Sequence, residues 1–418
     1  MTGETLHIRN ARLIDPASGL DDIRDLYIAE GRIAAIGQAP AGLGNARPIE
    51  AQGLIACPGL VDLSTRLGSI EPELSAAVAG GVTSVACPPD TKPPLDEPGL
   101  VERLVRRTDT LGLARVYPIG ALTQKLAGEK LAEMHSLTRA GCIAFSQAKQ
   151  PMFDTQLLLR AMQYAATFGY TVRMRPQDQY LARDGVAHDG EVAARLGLSG
   201  VPIAAETVAI ATALQLACAT GVRLHLSRLS SAAGVALVQQ ARQSGLPVTC
   251  DVSIYHLHLS EQDIGYFDSN SRFDPPLRSI NDCQALRQAA KQGVAAICSD
   301  HTPVDADGKQ LPFGEALPGA SALELLLPLT LQWAAECGLP LVTALARITC
   351  DPAAILGVSG GSLRPGSAAD ICLFDPEEKW LITPETLRSQ GKNTPFLGRE
   401  VAGRVRMTLV GGRIVYQR

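Results

Sequence analysis

The residues able to do chemistry in this sequence stand at the ends of apolar runs, and they are arginines and aspartates more than histidines. Asp62-Leu63-Ser64-Thr65-Arg66 closes LIACPGLVDLS, Pro88-Pro89-Asp90-Thr91 follows VTSVA, and Phe145-Ser146-Gln147-Ala148 closes CIAFSQ. Arg173 and Arg175 lie in YTVRMRP, His225 and Arg228 in VRLHLSRLS, and Asp251, Tyr255, His256 and His258 in and after PVTCDVSI. Ser299-Asp300-His301 ends the last such run. Carboxylates serve as bases, metal ligands or ion-pair partners, while a guanidinium only donates, gripping carboxylate or phosphate. His256-x-His258 is the one H-x-H, a spacing that puts two imidazoles on one strand face. It runs straight into LSEQDI, a loop and helix start, so it reads as structural. Asp300 and His301 resemble a dyad, but neighbours on a strand point to opposite faces and share no site.

Eight strand-like runs must position these groups: LIACPGLVDLS, VTSVACPP, RVYPIGALT, CIAFSQ, YTVRMRP, VRLHLSRLS, PVTCDVSI and AAICSD. Ala/Leu/Arg-rich helical stretches that stop at Gly lie between most of them, such as DTQLLLRAMQYAATFG and GVALVQQARQSG. Eight βα units predict an α/β fold of the (β/α)8 TIM-barrel type over residues 56–356, with chemistry at the C-terminal strand ends. Residues 1–55 and 357–418 are β-rich, as in LHIRNARLID and VRMTLVGGRIVYQR, and predict one β-sandwich subdomain built from both termini. His225, Cys250 and Cys298 are expected inside the barrel, and His7, His135 and His188 on the surface or in loops.

The 418 residues carry a net charge of −4, with 46% apolar and 19% charged residues. That excludes disorder and leaves no basic surplus for nucleic acid. Ten cysteines lack any C-x-x-C spacing, which fits reduced thiols in the cytoplasm. No leader pattern opens the chain, and the uncharged stretch Thr207–Val222 is expected to be too short for a bilayer, so no membrane partner is expected.

CPGLVDLSTRLG resembles the strand-1 signature of the amidohydrolase superfamily, PG-hydrophobic-hydrophobic-D-x-H-x-H. GCIAFSQ, TCDVSIYHLHLSEQDI, DPPLRS, SDHTP and GKNTPFLGREVAGRV are similar, in order, to segments of one family within it, the class I dihydroorotases. The resemblance covers essentially the whole chain and implies the barrel fold, pyrimidine synthesis and a zinc centre. It implies zinc ligands from the strand-1 H-x-H, a strand-4 carboxylate, histidines on strands 5 and 6, and a strand-8 Asp.

Those positions here are Ser64, Arg66, Gln147 or Ala148, Arg175, Arg228 and Asp300. Zinc needs deprotonated N, O or S donors, and an arginine has no lone pair to give. The family's substrate-gripping Arg aligns with Gly68, its M-P-N-T Asn with Asp90, its N-P-P-L-R Asn with Asp274, and a further His with Val304. His256 aligns with a family histidine that is not a metal ligand. No metal, cofactor or catalytic residue is therefore expected, and Asp300 is vestigial. Arg66, Arg175 and Arg228 against Asp90, Asp274 and Asp300 make three charges against three, expected to pair if the site is closed. The resemblance also supplies a role: inactive homologues assemble with aspartate carbamoyltransferase. The leading expectation is a non-catalytic assembly subunit for the aspartate carbamoyltransferase catalytic chain, itself a homo-oligomer. The alternatives are an active dihydroorotase or related cyclic-amide hydrolase with a rebuilt site, and an anion-binding regulatory subunit.

Overall fold

The computed structural model describes residues 4–150, 152 and 154–418, so Met1–Gly3 of the amino-terminal segment lie outside the described residues. Eight barrel strands follow one another: β1 (Leu60–Asp62), β2 (Val82–Cys87), β3 (Arg115–Ala121), β4 (Ala144–Ser146), β5 (Thr171–Met174), β6 (Arg223–Leu226), β7 (Val248–Ser253) and β8 (Ala296–Cys298). They pair in parallel in sequence order, each beside the next. All six residues of β2 are buried, as expected of a strand covered on both faces.

The barrel closes irregularly between β8 and β1. At the C-terminal end Thr65 bridges His301, with Arg66 N donating to His301 O at 2.9 Å and His301 N to Ser64 O at 3.1 Å. Lower down, Val61 N and Ile297 N donate to the carbonyls of Ile348 and Arg347, so an incoming chain segment fills the gap between the strands.

Helices α1 (Ile70–Ala79), α2 (Pro98–Leu111), α3 (Met134–Ala140), α4 (Thr155–Thr167), α5 (Ile203–Thr220), α6 (Ala232–Gln243), α7 (Ile280–Lys291) and α8 (Leu326–Glu336) follow β1 to β8 in turn. Their caps are legible in the sequence. The Asp154 carboxylate accepts from Gln156 N and Leu157 N, and α5 ends on Gly221 at φ 68°, a left-handed turn that costs glycine nothing. Helix α5 corrects the expectation for Thr207–Val222. It starts earlier, at Ile203, and by length and composition is long and apolar enough to cross a membrane. It nevertheless packs between α4 and α6, and its one charged residue, Glu206, accepts hydrogen bonds from both Ser230 and Ser231.

The two termini build one branched sheet in the order Arg413–Gln417, Glu400–Val410, Ile371–Leu381, Ile55–Pro58, Leu6–Asp15, Leu20–Ala29 and Arg32–Ile36, with Arg47–Glu50 also paired to Leu6–Asp15. It has its own apolar core, including Leu6, Ile8, Leu26, Ile371 and Leu409. Arg115, at the start of β3, fixes this unit to the barrel by a two-pronged contact with Asp370 at 3.0 and 3.1 Å.

Candidate functional site

Asp62, at the end of β1, holds the mouth together and faces no solvent. Its carboxylate accepts from Ser299 N at 2.6 Å, from Ser299 Oγ at 2.7 Å and from Thr65 Oγ, tying β1 to β8.

The arginines stand on the next residues outward, each against a carboxylate. Arg66 Nε lies 3.0 Å from Asp90 Oδ2, and its Nη1 lies 3.6 Å from Asp300 Oδ1 and 3.0 Å from Thr302 Oγ. Arg228 Nη1 lies 3.0 Å from the same Asp300 oxygen, with the two side chains only 6% and 7% exposed. Arg175 pairs with Asp274 and also donates to Gln177. One layer deeper, Arg173 Nη2 donates to Leu63 O at 2.8 Å and lies 3.7 Å from Asp251, whose carboxylate also receives His225 Nε2 at 2.7 Å and Arg228 N at 2.7 Å. The network is thus four guanidiniums against four carboxylates, where three against three was expected. Arg173 and Asp251 stand at strand ends in the sequence but received no role there. The two-residue step from Arg175 was the available signal, since it puts Arg173 on the same face of β5.

Burial raises the Asp300 carboxyl against the pull of Arg228 and Arg66. Burial also opposes charge on Arg228, but Asp300 and Asp274 outweigh it and raise that group. A guanidinium has no accessible neutral form, so we take the ionised pair as the state the site holds. Asp274 lies below its ordinary value because Arg175, Arg228 and Arg272 together overcome its burial. Three non-glycine residues at strand ends adopt left-handed backbones, Ala148 (φ 51°), Arg228 (φ 59°) and Asp300 (φ 48°). Such strain costs on the order of 1–3 kcal/mol each and persists where the surroundings over-determine it. What remains open inside the mouth is a cavity of about 30 Å³, lined by Ser64, Arg66, Ser146, Arg173, Arg175 and Arg228 among others.

Several expected positions lie elsewhere. Gln147 is buried but turned away from the mouth, accepting from Thr123 Oγ and donating to Leu126 O, both at 2.9 Å. Its neighbours Ser146 and Ala148 line the cavity instead. His188, expected on the surface or in a loop, is buried in the short strand Ala187–His188, 3.2 Å from the Arg278 guanidinium. His301 points out of the barrel; its Nδ1 accepts from Ala322 N and its Nε2 donates to Glu73 at 2.9 Å. His256 and His258 go to separate carbonyls, those of Pro276 and Leu329, and burial pushes both down to about 4. Among the described residues no group of three or more His, Cys, Asp or Glu side chains is arranged to hold a metal ion.

Residues 53–233 match the dihydro-orotase-like family, and residues 179–415 match the amidohydrolase family. A "Dihydroorotase-like protein" of Pseudomonas aeruginosa is 47% identical, over 99% of this chain and 100% of its own. A "Dihydroorotase" of Geobacter metallireducens is 37% identical over 99% and 100%. The chain is a dihydroorotase-like member of the amidohydrolase family. Its fold is also that of an L-hydantoinase from Arthrobacter aurescens, with a TM-score of 0.88 at 23% identity over 99% of this chain and 96% of that one. In the dihydroorotase-like chain the strand-end positions that a barrel of this kind devotes to chemistry are occupied by ion pairs.

Proposed function

We propose that this dihydroorotase-like chain is non-catalytic, holds no zinc or other cofactor, and acts in the cytoplasm as an assembly subunit for the catalytic chain of aspartate carbamoyltransferase in de novo pyrimidine synthesis. It does so as a homo-oligomer, with neither nucleic acid nor membrane as partner. The observation that carries the reading is the filled mouth. Arg66, Arg175 and Arg228 stand at positions where the family resemblance implies histidines, and each is spent on a carboxylate. Guanidinium nitrogens have no lone pair for zinc, and Asp300, the remaining carboxylate of the set, already serves two of them. The cavity of about 30 Å³ also contrasts with the roughly 300–1,000 Å³ typical of small-molecule sites. The role in assembly and its partner rest on the family resemblance.

The competing reading, hydrolysis of a cyclic amide by a rebuilt site, draws on the names of the more distant relatives. It requires an opened mouth and a base free of its arginines, and no residue in the network offers one. Co-expression with the host's aspartate carbamoyltransferase tests the proposal. The two chains are expected to co-elute in size exclusion, and carbamoyltransferase activity to depend on this chain. Separate elution with undiminished activity would overturn it.

A further inference from the structure

The loops that leave β7 and β8, on the mouth side of the barrel, carry large apolar side chains that stand in solvent. Tyr266 is 92% exposed, more than any other large apolar side chain among the described residues, and it meets Phe267 edge-on with ring centroids 5.4 Å apart. Phe267 is itself exposed and takes a left-handed backbone (φ 64°), an outlier for a bulky residue. Strain of that kind collects where a segment has a function to serve. Leu311 and Leu317 are exposed on the neighbouring loop. The base under these side chains is packed: Lys309 Nζ donates to Ser269 O at 2.9 Å, and Phe313 and Ile264 share one buried cluster with Ala187, Val192 and Ala193.

The exposed charge on the two loops has one sign. Asp268, Asp305, Asp307 and Glu315 face solvent. Lys309 and Arg272, the cations of segments 265–274 and 304–317, are half-buried and turned onto the carbonyls of Ser269 and Phe273. An aromatic pair held out on a packed base is the shape of an interface anchor, since Tyr fills a partner's pocket with large area and few torsions. A second copy docked about a two-fold axis would set the acids against their own images, and an anionic membrane would meet the same repulsion. The complementary surface is a basic one. We propose that Tyr266 and Phe267 anchor this chain in an apolar pocket on a partner protein, in a face rimmed by lysines and arginines. The partner's name rests on the assembly reading, which puts that face on the catalytic chain of aspartate carbamoyltransferase.

Surface plasmon resonance with the full-length chain over the host's immobilised carbamoyltransferase catalytic chain tests it. Tyr266→Ala is expected to weaken binding by at least about 30-fold, the scale of a hot-spot truncation. Asp305→Lys/Asp307→Lys is expected to slow association, and Ile23→Ala, an exposed apolar residue on the terminal sheet, to change neither rate. Unchanged affinity in Tyr266→Ala overturns the anchor and leaves the assembly reading standing. No binding by the wild type defeats that reading and the anchor with it. Sedimentation in which Tyr266→Ala dissociates this chain's own oligomer, with carbamoyltransferase affinity unchanged, puts a second copy on the aromatic pair and also overturns the proposal. The urea midpoint checks that Tyr266→Ala is folded; should it not be, Phe267→Gly, which relieves the left-handed backbone, is expected to show the same loss and decides in its place.

Discussion

At the scale of single residues, the mouth is built from pairs that cannot be broken one at a time. Arg228 and Asp300 are both nearly fully buried, so Arg228→Met leaves a carboxylate with only the longer contact to Arg66. The expected loss is about 3–5 kcal/mol in urea unfolding, the range for removing one partner of a buried pair. The double variant Arg228→Met/Asp300→Leu is expected to recover most of it, because an apolar pair of similar volume replaces the charges without stranding one. Additive losses would mean that the pair does not act as a unit. Arg66→His is expected to leave dihydroorotate turnover at background, since Arg175 and Arg228 would still repel a cation beside one new imidazole. The charged positions were legible because residue type and strand end are sequence properties. The direction of Gln147 was not, because the strand stops at Ser146 and the left-handed turn at Ala148 breaks the two-residue alternation on which such reasoning relies. His188 was missed for a related reason: its burial comes from Arg278, 90 residues later, whose reach no local pattern reveals.

At the scale of elements, the segment after β7 carries two histidines held neutral. Burial lowers His256 and His258 from an ordinary value near 6.5 to about 4. A histidine with a lowered folded value binds its proton less well in the native state, so its stabilising contribution is full above pH 6.5. It is lost as the pH falls from 6.5 toward 4, where the unfolded chain protonates first. The two together are expected to withdraw several kcal/mol over that window. His258→Gln is expected to flatten the fall in urea midpoint; an unchanged slope would contradict the assignment. A second element-scale contact joins Arg115 to Asp370, which also accepts Gly411 N at 2.6 Å. Asp370→Ala is expected to cost about 1–3 kcal/mol, mostly from the backbone amide left unpaired, because the Arg115 side is 40% exposed and screened. Calorimetry showing no change would place the hold between barrel and sheet elsewhere. Seven barrel strands were legible as apolar runs and most helices as an alternation ending in Gly, but the first run, LIACPGLVDLS, splits: Ile55–Pro58 pairs in the terminal sheet, past the expected boundary at residue 56, and only Leu60–Asp62 enters the barrel. The closure of β8 on β1 was not legible, since it depends on carbonyls of Arg347 and Ile348 contributed from far along the chain.

At the scale of the whole molecule, the fold keeps the architecture that places chemistry at the C-terminal strand ends, and fills that place with charge pairs. Asp62 shows how both facts coexist. It ties β1 to β8 through Ser299 and Thr65, so the frame of the mouth stands independently of the arginine–aspartate pairs above it. In the reading proposed above, this frame turns nothing over. Steady-state hydrolysis and cyclisation assays on full-length protein supplemented with zinc test it most directly, with bound metal counted after dialysis. Background rates and no stoichiometric zinc are expected; a turnover number on the order of 1 per second or more, with near one zinc per chain, would contradict a non-catalytic role.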